Sequence, residues 1–163
     1  MADTLSRDLL LDSIEQAYDR KSWHGPNLRG SLRGVTIEQA CWRPGGNRHN
    51  IWEIMVHAAY WKYAVTRKLT GEKRGSFPLK GSNWFARPVE TSEPAWRKDL
   101  GLLQAMHEAL RAAVTGVPTS TLYRALPGAK STPAYLVTGV AAHDVYHAGQ
   151  IQLLKRLYAQ RAT

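Results

Sequence analysis

The chain has 163 residues, 44% of them apolar and 21% charged, the balance of one folded domain that buries its core without covalent staples. Its one cysteine, Cys41, excludes an internal disulfide and any thiolate-rich zinc site, leaving histidine and carboxylate as metal ligands. The net charge of +9 attracts anions, but the basic residues are scattered and not interleaved with aromatics, which argues against specific nucleic-acid binding.

The opening residues, Met1-Ala2-Asp3-Thr4-Leu5-Ser6-Arg7-Asp8, carry acid early and lack a basic stretch followed by an apolar one. No leader is read there, no apolar run is long enough to span a membrane, and a cytoplasmic protein is expected. Residues 5–20 place Leu5, Leu9, Ile14 and Tyr18 at helical spacing without glycine or proline, which predicts a first helix ending near Trp23-His24-Gly25-Pro26. Thr36-Ile37-Glu38-Gln39 reads as a capping box for a short helix toward Trp42, stopped by Pro44-Gly45-Gly46.

A second long helix is expected from around Asn47–Asn50 to Leu69, with Gly71 as its stop. Its inward stripe of Ile54, His57, Trp61 and Val65 puts His57 in a core position. The stretch 71–91, rich in glycine, proline and charge, is too long for a tight connection and reads as a crossover or a functional loop. It carries Phe77, Trp84 and Phe85, which need packing partners. Ser92-Glu93-Pro94 is a strong start for a third helix reaching about Val114. After a loop over 116–131, Thr132-Pro133 opens a fourth helix that runs to the end of the chain. Its apolar stripe is expected at Leu136, Val140, His143, His147, Gln150 or Ile151, Leu154 and Tyr158. Gly139 and Gly149 within it suggest a close neighbouring backbone or room for a ligand. Four amphipathic helices with no alternating strand imply an all-α protein: a four-helix bundle, one domain over residues 1–163, with a long connection between helices 2 and 3.

His143 and His147, one turn apart, share a helix face and can aim both imidazoles at one point. If His57 reaches that point from the second helix, the result is a three-nitrogen metal site with an open position, the arrangement of a catalytic centre. Two imidazoles desolvated within one turn of an apolar stripe call for compensation, which coordination supplies. Neutral imidazole suits zinc, nickel, iron or copper alike, so ligand type does not choose the ion. The His143-Asp144-x-x-His147 spacing also resembles the zinc-protease helix with aspartate in place of its glutamate. That shorter side chain, the third histidine on another helix and the lack of a substrate-binding strand count against it.

Gln150, on the His147 face, and Glu53, one turn before His57, are candidates to hold an imidazole N–H, a water or a substrate, although Glu53 reads more simply as a surface residue. Asp144 points about 100° away from His143 and reads as a surface or supporting residue. His24, in the Trp23–Pro26 turn, and Trp61 complete the candidates. Trp52, Trp61 and Tyr60 read as core, His49 and His107 as surface or cap residues, and Cys41 as packing.

Three stretches, Trp23-His24-Gly25-Pro26, Ile51-Trp52-Glu53-Ile54-Met55-Val56-His57 and His143-Asp144-Val145-Tyr146-His147-Ala148-Gly149-Gln150-Ile151, carry a resemblance to the DinB superfamily of metal-dependent four-helix-bundle proteins over nearly the whole chain. The resemblance implies a ligand triad of one histidine from the second helix and two from the fourth, matching His57, His143 and His147. It also implies zinc or nickel, a homodimer, a site near the Trp23–Pro26 turn and a stress-related role. Members of the wider superfamily include transferases and isomerases that use low-molecular-weight thiols such as mycothiol or bacillithiol. The leading expectation is therefore a metal-dependent enzyme acting on a small molecule by thiol-dependent S-transfer, in which the ion lowers the pKa of a bound thiol. The alternatives are a non-enzymatic metal- or ligand-binding protein and a metal-dependent hydrolase.

Overall fold

The computed structural model describes residues 2–125, 128 and 130–161, all-helical with no strand among them. In chain order these are α1 (Ala2–Tyr18), α2 (Leu28–Leu32), α3 (Ile37–Cys41), α4 (Ile51–Thr70), α5 (Glu93–Gly116), a 3-10 turn (Thr119–Thr121) and α6 (Pro133–Gln160). The predicted end of the last helix at 162–163 and positions 126, 127 and 129 of the 116–131 connection lie outside the described residues.

The predicted caps are present. Thr36 Oγ1 accepts from the Gln39 N–H while the Gln39 side chain accepts from the Thr36 N–H, so both orphan donors of α3 are satisfied. Asn50 and Glu53 make the same reciprocal pair at α4, a capping box that the sequence reading does not identify within its start range of 47–50. Ser92 and Thr132 accept from the third N–H of α5 and α6, each followed by a proline in the first turn. Gly71 closes α4 in the left-handed conformation, φ +78°, which a side chain would resist. Sequence patterning misses α2: Asn27 caps it by accepting from the Gly30 N–H, but glycine inside so short a helix hides the signal.

The long helices α1, α4, α5 and α6 pack on one another around two apolar clusters. One holds Tyr18, Leu28, Trp52, Ile54, Met55, Phe85, Trp96, Leu103, Ile151 and Leu154; the other holds Leu10, Ile14, Val65, Leu110, Val114, Val137, Val140 and Ala141. Between them lies a polar layer. On α4 it falls at Lys62, between Ala59 and Val65; on α5 at His107, between Leu103 and Leu110; on α6 at Asp144 and His147, between Ala141 and Ile151. A helical core interrupted at one level on three helices is where polar chemistry is housed.

Several expectations are corrected here. The buried stripe of α6 is Ala134, Val137, Val140, Ala141, Asp144, His147, Ala148, Ile151 and Leu154, so Asp144 is core and not surface, while Leu136, His143, Gln150 and Tyr158 are only half-buried. Gly139 and Gly149 are exposed, and a Cβ at either would meet nothing within 4 Å; neither permits a close backbone approach. His107 is 4% exposed, Glu53 is buried, and Trp61 is half-buried where a core residue was expected.

Candidate metal centre

His57 projects from α4, and His143 and His147 project from α6. Their ring nitrogens converge: His143 Nε2 lies 3.1 Å from His57 Nε2 and 3.0 Å from His147 Nε2, and one ligand atom from each residue falls within 4.8 Å of the others. Nitrogens bound to one tetrahedral ion at about 2.0–2.1 Å would stand about 3.3–3.4 Å apart, so the two Nε2–Nε2 separations are within a few tenths of an ångström of that.

The outward hydrogen bonds decide which way the lone pairs face. His57 Nδ1 donates to the Asn83 carbonyl at 2.7 Å; a carbonyl only accepts, so the proton is on Nδ1 and Nε2 is bare. His147 Nδ1 donates to Gln150 Oε1 at 2.7 Å, and Gln150 Nε2 in turn donates to the Tyr146 hydroxyl at 3.0 Å. His147 Nε2 is therefore bare as well. A single proton on His143 Nε2 cannot serve both facing lone pairs, and His143 Nδ1 is buried without a partner. Bare imidazole nitrogens held toward one point are the donor set of a borderline transition-metal ion, and the residues fit one.

Electrostatics keep the rings neutral. Burial pushes His143 down to about 3, helped by His147, His57 and Lys62. Burial also pushes His147 down to about 4, against the hydrogen bond to Gln150. His57 is lowered by burial too, which outweighs its bond to Asn83. Desolvation disfavours the charged ring, so all three are unprotonated near neutral pH.

The segment between α4 and α5 supplies the rest of the shell. Asn83, with φ +65°, occupies the left-handed region that asparagine tolerates better than most residues. It presents its carbonyl to His57 and its side-chain oxygen to Trp61 Nε1, 2.9 Å away. Trp84 stacks on His57 at 3.8 Å between centroids and on His49 at 3.6 Å, covering one face of the His57 ring. Trp61 meets His57 and His143 edge-on at 6.3 and 6.1 Å. A cavity of about 540 Å³ opens beside the triad, with His147, Gln150, Tyr146 and Trp84 in its wall and Ile54 and Leu154 giving it an apolar side.

The remaining candidates are otherwise engaged. Glu53 takes a bidentate contact from Arg43 at 2.6 and 2.8 Å, lies 3.0 Å from His49 Nδ1, and caps α4. Burial raises its carboxyl, but the Arg43 and His49 hydrogen bonds prevail and hold it below the usual carboxylate range. Asp144 pairs with Lys62 in the core, each side chain 1% exposed; burial pushes its carboxyl up against the pull of the Lys62 ammonium. His24 is exposed and does not line this cavity. Cys41 is half-buried and packs against the core. Sequence reasoning missed Asn83, Trp84, Tyr146 and Lys62. For Asn83 the signal was the Gly81-Ser82-Asn83 turn chemistry; for Lys62 it was a lone cation on the buried face of α4.

The family model of the DinB superfamily matches residues 22–151, a span that includes all three histidines. No curated protein and no solved structure is a significant match.

Proposed function

The chain belongs to the DinB superfamily, and from that premise we propose that it is a single-domain four-helix-bundle metalloenzyme acting on a small molecule. In this reading α1, α4, α5 and α6 form the bundle, the segment 71–92 is its long connection, and His57, His143 and His147 are the ligands of a zinc or nickel ion. The observation that carries the reading is the convergence of three neutral imidazoles whose outward N–H groups on His57 and His147 are already spent. When bound, the ion supplies Lewis acidity that lets a thiol or water exist as its anion near neutral pH.

The chain's own residues favour thiol-dependent transfer over hydrolysis. A hydrolytic centre usually pairs its ion with a carboxylate base. Here the Glu53 carboxylate is held by Arg43 and the Asn50 N–H, and Asp144 by Lys62. With both neighbouring carboxylates committed, the reactive nucleophile is brought by a low-molecular-weight thiol. Gln150 and Asn83 fix the rings, Trp84 and Trp61 exclude water from the His57 side, and the cavity beside His147 receives the cosubstrates. A non-enzymatic metal- or ligand-binding role is the second reading, favoured by the same shortage of a free base. A homodimer is part of the proposal; Leu153 and Leu157 of α6 and Leu5 and Leu9 of α1 expose apolar surface of the kind a second copy covers.

The test is elemental analysis of untagged protein beside His57→Ala, His143→Ala and His147→Ala variants checked for helicity, followed by thiol-dependent consumption of an electrophile. Near-stoichiometric metal lost in all three folded variants, with turnover that needs both metal and thiol, is the expected result. Metal retained in full by any one variant overturns the ligand assignment; metal without thiol-dependent turnover selects the binding role.

A further inference from the structure

Beyond Trp61 and Asn83, on the side away from the triad's own cavity, lies a second cavity of about 630 Å³. Four cations stand in its wall: Arg67 and Lys68 from the end of α4, and Arg74 and Lys80 from the following segment. No aspartate or glutamate lines it. Among the described residues none of the four has a carboxylate within salt-bridge distance, and Arg67 makes only a long bond to the Glu72 carbonyl at 3.4 Å. Cations in the last turn of a helix complement its C-terminus, which accounts for Arg67 and Lys68. Arg74 and Lys80 have no such tie, yet the segment is folded to bring them to the same opening.

That folding is specific. The Tyr63 hydroxyl oxygen accepts from the Gly75 and Ser76 N–H groups at 3.2 and 3.3 Å, pinning the chain just after Arg74 onto α4. Phe77 then packs on Tyr60 and on Tyr63, each at 5.3 Å. The floor is thus aromatic, with Trp61 half-buried at its inner end. Uncompensated like charges held around one open cavity repel one another, and an anion relieves that repulsion. A flat ring gains from aromatic walls and from the cations beside them.

We propose that this cavity is a second ligand site, separate from the metal centre, for a small polyanionic phosphate ester carrying a planar ring, the chemistry of a nucleoside diphosphate. Four cations match a multiply charged phosphate better than a single carboxylate, and the cavity has the size of a small-ligand site. All four cations line this one cavity, which favours a small ligand over a long strand.

The experiment is calorimetric titration of the full chain with ADP, inorganic pyrophosphate and adenosine at low salt. Saturable one-to-one binding of ADP is expected, weaker for pyrophosphate and at least tenfold weaker for adenosine. The Arg74→Gln/Lys80→Gln double variant should lose at least tenfold in ADP affinity with helicity and metal content unchanged. Arg97→Gln, an exposed cation of α5 paired with Glu93, should stay within twofold of the parent. So should His147→Ala, which separates this site from any phosphate held by an ion at the triad. The proposal fails if ADP does not saturate below about a millimolar, a weak affinity for a specific ligand, or if Arg97→Gln weakens it as much as the double variant. It also fails if a single-stranded 20-mer binds far more tightly through the same two residues, which would make the surface a nucleic-acid face.

Discussion

Replacing Asp144 with asparagine removes the counter-charge from a Lys62 ammonium whose side chain is 1% exposed, while Tyr18 offers only its ring face, 4.9 Å away. Breaking a buried pair from one side costs about 3–5 kcal/mol, because the surviving charge stays desolvated and uncompensated. Against a typical total of about 5–15 kcal/mol that is a large loss, and for a domain of this size it corresponds to a fall in Tm of roughly 6–20 °C. Lys62→Ala should cost a similar amount. The double variant Lys62→Met/Asp144→Leu removes both desolvation penalties and is expected to lie within about 1 kcal/mol of the parent or above it. Urea denaturation followed by circular dichroism, with calorimetry for Tm, measures all four proteins and closes a double-mutant cycle. Asp144→Asn within about 1 kcal/mol of the parent, or a double variant as unstable as the singles, would refute the picture of a tightly coupled pair in a dry layer.

Gln150→Ala frees the His147 N–H and should weaken metal binding about 10–100-fold while leaving the three ligands in place, measured by competition with a chromophoric chelator. His107, pushed down to about 3 chiefly by burial from an unfolded value of about 6.5, has a depressed native pKa. Its contribution to stability is complete above pH 6.5 and is lost as pH falls toward 3, on the order of 4–5 kcal/mol at full protonation. Urea midpoints should therefore fall steadily between pH 6.5 and 4 in the parent and less steeply in His107→Gln; parallel profiles would contradict this. Glu53→Ala loses the carboxylate half of the α4 capping box and the Arg43 contact together, and a cost of about 1–3 kcal/mol is expected by the same urea assay. Trp84→Ala exposes one face of His57 and should leave the fold intact while raising the metal dissociation rate in a chelator chase.

The helices were legible because their signals are local. Capping residues at Thr36, Ser92 and Thr132 and the stop at Gly71 act within one turn of the backbone they satisfy, and residue type alone announces them. The candidate triad was legible for the same reason in part: His143 and His147 are one turn apart, so helical geometry pairs them without further information. That His57 reaches the same point from α4 was an expectation of pattern and resemblance. The tertiary structure makes it a distance, 3.1 Å to His143.

What the sequence could not express were the phase of α6 and the shape of the segment after α4. Apolar spacing put His143 at the centre of the α6 stripe, but the helix turns so that Asp144 faces inward, where the Lys62 ammonium on α4 pairs with it. Pattern reading assigns charge to the surface and has no means of seeing a partner 82 residues away. Likewise Asn83 and Trp84 sit in a stretch without periodicity, and only packing brings their carbonyl and indole onto His57. Local residue chemistry determined where helices begin and end and which histidines share a face. Burial between distant segments decided which polar groups are paired, which lone pairs stay free, and hence where a metal ion can be held.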